Sequence, residues 1–213
     1  YSPDGDYSWS NESGICLGCY IPQFIGPVKS GGWAKLMPNS LIVGEFTKET
    51  RPSDADTKFD KRMYASLFFD AANYGDKVPN EKWYGNNYSM DDLWEGNEGK
   101  MAGGAPSFNV NGTAGKFLIK KNTAYYVDDK APDNMGNKEG RSSNLRVMRF
   151  AEVLLLYAEA CAKTNDPDGA NYALKQIRQR AGLTEKTFAQ AELMNEIEHA
   201  YWSSLRKDIV LTI

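Results

Sequence analysis

Residues 146–164, "RVMRFAEVLLLYAEACAKT", hold the most apolar run of the chain, and the fold turns on whether they form a membrane span, a catalytic element or a scaffold helix. The run is uninterrupted only from Val153 to Ala158, and Arg146, Arg149, Glu152 and Glu159 stand around it. A spanning helix needs roughly 18–20 apolar residues, so this stretch is too short to cross a bilayer. Apolar residues recur at Val147, Phe150, Ala151, Leu154, Ala158 and Cys161, a helical period that predicts a helix from Asn144 to Thr164. Val153, Leu155 and Tyr157 widen the stripe, so the helix is packed on more than one side. Its charges have a structural explanation. Arg149 and Glu152, three residues apart, are placed to pair, and Glu159 can meet Arg178 or Arg180 of the next helix.

Outward from that helix, Asp166 can cap a second one and Pro167 suits its first position. Ala170, Ala173, Leu174 and Ile177 continue it, and Gly182 is its left-handed terminator. Thr187 and Gln190 make a capping box for a third helix, with Met194, Ile197, Tyr201 and Leu205 along one face. Two helices joined by a short turn and followed by a third resemble a tetratricopeptide unit. Upstream, "NSLIVGEF" predicts a short helix with Leu41, Ile42, Glu45 and Phe46 on one face, and "DKRMYASLFFD" a helical turn running into an extended segment. From Ala71 to Gly115 little periodicity is present; such a stretch in a compact domain is functional or mobile. "GKFLIKK" and "TAYYVDD" predict short strands, and "KAPDNMGNKEGRSSN" a loop. The fold class expected is mainly α, a helical hairpin scaffold with long irregular loops. Two parts are expected, a loop-rich 1–143 and a helical 144–213.

Several chemistries are poorly supported. At 213 residues the chain can bury a substantial core, and a net charge of −3 gives no electrostatic case for nucleic acid or an anionic membrane as partner. Cys16 and Cys19 form a C-x-x-C outside any βαβ context, read as two loop thiols or a local disulfide, with Cys161 a buried core residue. A zinc site would require both of them with Cys161 and the only histidine, His199. That histidine has no nucleophile motif beside it. "NGTAGKF" has Val110 and Phe117 where a phosphate loop needs Gly and Ser or Thr. Read as a calcium loop, "TNDPDGANYALK" would end on Lys175, which repels the ion. Acids number 28, so paired carboxylates for glycoside hydrolysis are not selected by spacing. The chain opens on loop chemistry without an initiator Met or a signal peptide, which predicts a fragment or a processed form.

"NLRVMRFAEVLLLYAEACAKT" followed by "ALKQIRQRAGL" resembles the C-terminal signature of the SusD/RagB family of surface glycan-binding lipoproteins. The match is carried by Arg149, Glu152, Leu155, Ala158, Glu159, Ile177, Arg178, Arg180, Ala181 and Gly182. Trp33, Pro38, Phe46, Asp60 and Arg62 match the family's upstream segment in the same order. The chain departs from it near its end, where Ala200, Tyr201 and Ser204 replace the expected Glu-Arg and Glu. The family's N-terminal half, with its lipidated cysteine, has no counterpart in these residues.

The resemblance implies a non-catalytic protein without a cofactor or metal, at the outer membrane. Its partners would be an oligosaccharide or polysaccharide and a SusC-like TonB-dependent transporter. Sugar binding of that kind uses aromatic faces on sugar C–H surfaces, with polar side chains for the hydroxyls. Under the resemblance, Tyr7 and Trp9 in one loop, and Trp83, Tyr84, Asn86, Tyr88 and Trp94 in another, are the carbohydrate-binding candidates. The same rings could instead pin long loops to the body, the role expected of Trp33. Two other readings stand beside this one: a tetratricopeptide-type protein interaction scaffold, and a polysaccharide-active enzyme. The aromatic, glycine-rich loops favour sugar binding over the scaffold, which needs no exposed Trp, and no acids stand out for the enzyme.

Overall fold

The computed structural model describes residues 25–95, 107–110, 113–123, 125–126 and 148–204, and these fall into two compact units. One unit contains residues 39–65 and 148–204; the other contains residues 25–38 and the described residues from 66 to 126. Tyr7, Trp9, Cys16, Cys19, Leu205 and the loop at 130–144 lie outside the described residues.

The helical unit is built on three helices: α4 (Phe150–Lys163), α5 (Pro167–Ala181) and α6 (Gln190–Ser204), with α1 (Ser40–Thr47) packed on α6. Short connections make successive helices neighbours. The core they enclose is Leu155, Ala158, Cys161, Ala162, Ala170, Ala173, Leu174, Ile177, Leu193, Ile197 and Ala200. Small alanines on all three helices let the backbones approach closely, and leucines fill the spaces between. Asp166 caps α5 by accepting from the Gly169 N–H at 3.0 Å, Pro167 opens it, and Gly182 closes it at φ +73°, as the residue pattern predicts.

Elsewhere the structure corrects the periodicity. Helix α4 begins at Phe150, with Arg149 extended as its N-cap, rather than at Asn144. Its buried face is Leu155, Ala158, Cys161 and Ala162, whereas Phe150 is 69% exposed and Val153, Leu156 and Tyr157 face outward. Because the run is apolar all round, its period alone does not say which side meets α5 and α6. The cap of α6 slides two residues: the Ala189 N–H donates to the Glu192 carboxylate at 3.0 Å, and Gln190 donates its amide to the Ala162 carbonyl at 2.6 Å. The buried stripe of α6 is Leu193, Ile197 and Ala200, with Met194 exposed. In α1, Ile42, Val43 and Phe46 are buried and Leu41 is exposed; Asn39 accepts from the Ile42 N–H at 3.0 Å.

The expected ion pairs on α4 are also corrected. Glu152 meets Arg149 through the backbone, its N–H donating to the Arg149 carbonyl at 2.9 Å. Glu159 pairs with Lys163 one turn on. Arg178 instead takes Glu49 at 2.6 Å and Glu196 at 2.9 Å, donates its Nε to the Thr184 carbonyl at 2.9 Å, and lies over the Phe188 ring. The carboxylates it uses come from α6 and from the segment after α1. Arg180 is exposed. Within this unit Asp60 and Arg62 form a fork over the start of α2 (Lys61–Ser66), where Asp60 also accepts from the Arg62 N–H at 2.8 Å. Among the described residues no helix is long and apolar enough to cross a membrane.

The second unit has little regular structure. β1 (Leu67–Phe68) pairs antiparallel with β4 (Leu118–Ile119), with Phe68 opposite Leu118. β2 (Ser107–Val110) pairs antiparallel with β3 (Thr113–Lys116), with Ser107 opposite Lys116. The single strand expected over "GKFLIKK" is thus broken at Phe117, whose ring turns inward against Phe69 and Tyr74. The 71–115 stretch is not structureless: it contains a 3-10 turn at Ala71–Tyr74, α3 (Met90–Glu95) and β2. Tyr125 and Tyr126 lie in a turn, not in the expected strand. Met37, Phe68, Trp83, Tyr84, Met90, Leu93, Trp94 and Leu118 form the core.

Candidate functional site

The loop "WYGNNY", Trp83 to Tyr88, is closed on itself. Trp83 N–H donates to the Tyr88 carbonyl at 2.9 Å, and the Trp83 carbonyl accepts from Asn87 and Tyr88 at 3.1 and 3.2 Å. Between them Tyr84, Gly85 and Asn86 adopt φ of +55°, +70° and +64° in succession. Left-handed backbone is unfavourable for a residue such as Tyr, and it persists only where the surroundings over-determine it. Here the Tyr84 ring is fully buried and the Asn87 amide donates to the Tyr84 carbonyl at 2.6 Å. The tip is consequently rigid, with Asn86 turned to solvent.

Beneath the loop, Trp83 stands edge-on to Phe68 at 4.9 Å. Lys120 is buried, with its Nζ 4.7 Å from the Tyr125 ring centre and 5.7 Å from that of Trp83. The Glu81 carboxylate accepts from Trp83 Nε1 at 3.0 Å and lies 3.4 Å from Lys120 Nζ, both contacts falling on Oε2. The Tyr84 N–H donates to the Tyr125 carbonyl at 3.0 Å, which ties the Tyr125–Tyr126 turn to the loop. Tyr125 packs inward on Phe68, and Tyr126 meets it edge-on at 5.7 Å while remaining 68% exposed.

The neighbouring α3 is started by Ser89 and Asp92, each bonding the other's backbone N–H, and the Ser89 hydroxyl with its N–H holds the Asp92 carboxyl below the usual range. Lys116 pairs with Asp91 at 2.8 Å and sits over Trp94. Burial, then the charge of Asp91, pushes the Asp70 carboxyl upward. Burial also pushes the Tyr74 hydroxyl up to about 12, so it stays protonated.

Of the sugar-binding candidates, Trp83, Tyr84 and Trp94 are core residues whose rings are given to packing. Tyr88 is half-buried against Tyr84, and Asn86 is exposed. The structure adds Glu81, Lys120, Tyr125 and Tyr126, which no motif of the sequence marks as candidates. Tandem tyrosines flanked by polar residues were the one available signal for the last two. Among the described residues no group of His, Cys, Asp and Glu could hold a metal ion. His199 contacts Glu45 within the helical unit, and Cys161 is a buried free thiol.

The SusD family model matches residues 1–201. The chain belongs to the SusD family. A crystal structure of a SusD superfamily protein from Bacteroides vulgatus ATCC 8482 is 22% identical, with a TM-score of 0.57, and the match covers 85% of this chain and 33% of that one. A SusD-like protein from Bacteroides fragilis NCTC 9343 is 20% identical, with a TM-score of 0.52, and the match covers 92% of this chain and 37% of that one. The chain thus spans about a third of the length of those relatives. No curated protein matches it. The residues that carry the SusD signature are largely scaffold: Leu155 and Ala158 in the core, Arg178 as a buried hub and Gly182 as a helix stop.

Proposed function

We propose that this chain binds oligosaccharide or polysaccharide at the bacterial cell surface, without catalysis, for import through a SusC-like TonB-dependent transporter of the outer membrane. Membership in the SusD family carries the reading. Physical support comes from a backbone-closed loop that exposes the Asn86 amide over packed aromatics and from an exposed tyrosine, Tyr126, on the turn bonded to that loop, groups of the kind that meet sugar hydroxyls and C–H faces.

Intrinsic tryptophan fluorescence and affinity electrophoresis against a panel of oligosaccharides test it in the full chain. Saturable binding without release of reducing sugar is the expected outcome. Silence across the panel overturns the reading, and release of reducing sugar assigns an enzyme. Co-purification of a TonB-dependent transporter from detergent-solubilised outer membranes tests the coupling to import.

A further inference from the structure

Among the described residues, helix α4 is packed on one side. Leu155, Ala158, Cys161 and Ala162 close the core of the helical unit. Phe150, Val153, Leu156, Tyr157 and Ala160 recur at the three- and four-residue spacing of the opposite face, and all five are exposed. None of the five is charged. Tyr172 of α5 is exposed as well and is an electrostatic neighbour of Tyr157, which carries the surface across the α4–α5 hairpin. A continuous apolar surface of this kind marks an association site.

The charges beside the stripe say what fits it. Glu152, Glu159 and Lys163 are spaced seven and four residues apart, so they lie along one edge of α4. The charges of Glu152 and Glu159 both act on Tyr201, which puts that edge on the side of α6. Glu152 stands in the first turn of α4 and Lys163 in the last. Lys163 is 63% exposed and pairs with Glu159 one turn back, and an exposed pair of that type holds the ammonium only weakly. A second α4 laid antiparallel on the stripe has its two-fold axis near Leu156 and Tyr157. Val153 of each copy then faces Ala160 of the other, large against small, and Phe150 covers the stem of Lys163. On the charged edge, Glu152 of each copy meets Lys163 of the other. A parallel arrangement would set Glu152 against Glu152 and Lys163 against Lys163, and would align the two helix dipoles unfavourably.

We infer that the exposed face of α4 is a self-complementary interface that joins two copies of this chain as an antiparallel, isologous pair. The stripe from Phe150 to Ala160 runs about 15 Å, which suits a weak, micromolar association rather than an obligate dimer. The interface belongs to the helical unit and does not depend on the glycan-binding function.

Sedimentation equilibrium of the full chain from about 1 to 200 μM tests it, the range in which a weak interface changes from monomer to dimer. A reversible monomer–dimer equilibrium is expected. Leu156→Glu puts a charge at the centre of the stripe and is expected to weaken the dimer at least about tenfold. Glu152→Lys and Lys163→Glu each set like charges opposite one another across the two-fold axis, and each is expected to weaken it several-fold. The double swap Glu152→Lys with Lys163→Glu restores opposite signs and is expected to recover the parent affinity, a result that pairing within one copy does not produce. Circular dichroism of each variant shows that the helices are intact, since all three positions lie outside the buried core. A monomer throughout the range, or a dimer that Leu156→Glu leaves unchanged, overturns the interface. Failure of the double swap to recover affinity overturns the antiparallel pairing.

Discussion

Arg178 is held at once by two carboxylates, a backbone carbonyl and an aromatic ring. It is buried, and a buried guanidinium persists only when its donors are satisfied, here by Glu49, Glu196 and the Thr184 carbonyl. Arg178→Ala leaves the two carboxylates facing each other and should cost about 3–5 kcal/mol, read as a loss of helix in urea denaturation. Glu49 adds a pH dependence. Burial resists its ionisation, but the Arg178 guanidinium and the Lys186 ammonium outweigh it, holding the carboxyl below the usual range. A lowered folded value contributes stability that is complete above the unfolded carboxylate range, about pH 4.3, and is lost as pH falls through the folded value. Acid titration of the urea midpoint should therefore show a fall below about pH 4 that Glu49→Gln flattens. Arg178 stands in a family motif and is legible from the sequence as important, but its partners are not. Glu49 lies 129 residues away, and no spacing rule reaches it.

At the scale of elements, the helices were readable from their caps more reliably than from their faces. The Asp166, Pro167 and Gly182 signals fix α5 because a cap is satisfied within a few residues of itself. The period of α4 does not single out its buried face, because apolar residues surround the helix. Leu155→Ala should cost about 2–5 kcal/mol, whereas Phe150→Ser should stay within about 0.5 kcal/mol, a contrast that thermal unfolding of both variants resolves. Two glycines separate in the same way. A Cβ on Gly44, in the middle of α1, meets no atom within 4 Å, so Gly44→Ala should stabilise by about 0.5–1 kcal/mol. A Cβ on Gly115 would fall 1.3 Å from the Tyr74 hydroxyl, so Gly115→Ala must displace that ring and should lower the melting temperature.

At the scale of the whole molecule, residues 39–65 belong with the C-terminal helices, far downstream. They bring Glu49 to Arg178, Glu45 to His199 and the Arg51 Nε to the Gly182 carbonyl at 3.1 Å. Residues 148–204 expressed alone should accordingly melt without cooperativity, and joining 39–65 to them should restore a sigmoidal transition in circular dichroism. The sequence by itself determined the three C-terminal helices, the absence of a spanning run in them and the resemblance to the SusD family. Those properties rest on local periodicity, caps and contiguous motifs. Only the tertiary structure decided which aromatics are buried, since Trp83, Tyr84 and Trp94 are indistinguishable in sequence from rings displayed to solvent. Burial is set by what the rest of the chain brings against a residue, and that information is not local to the loop.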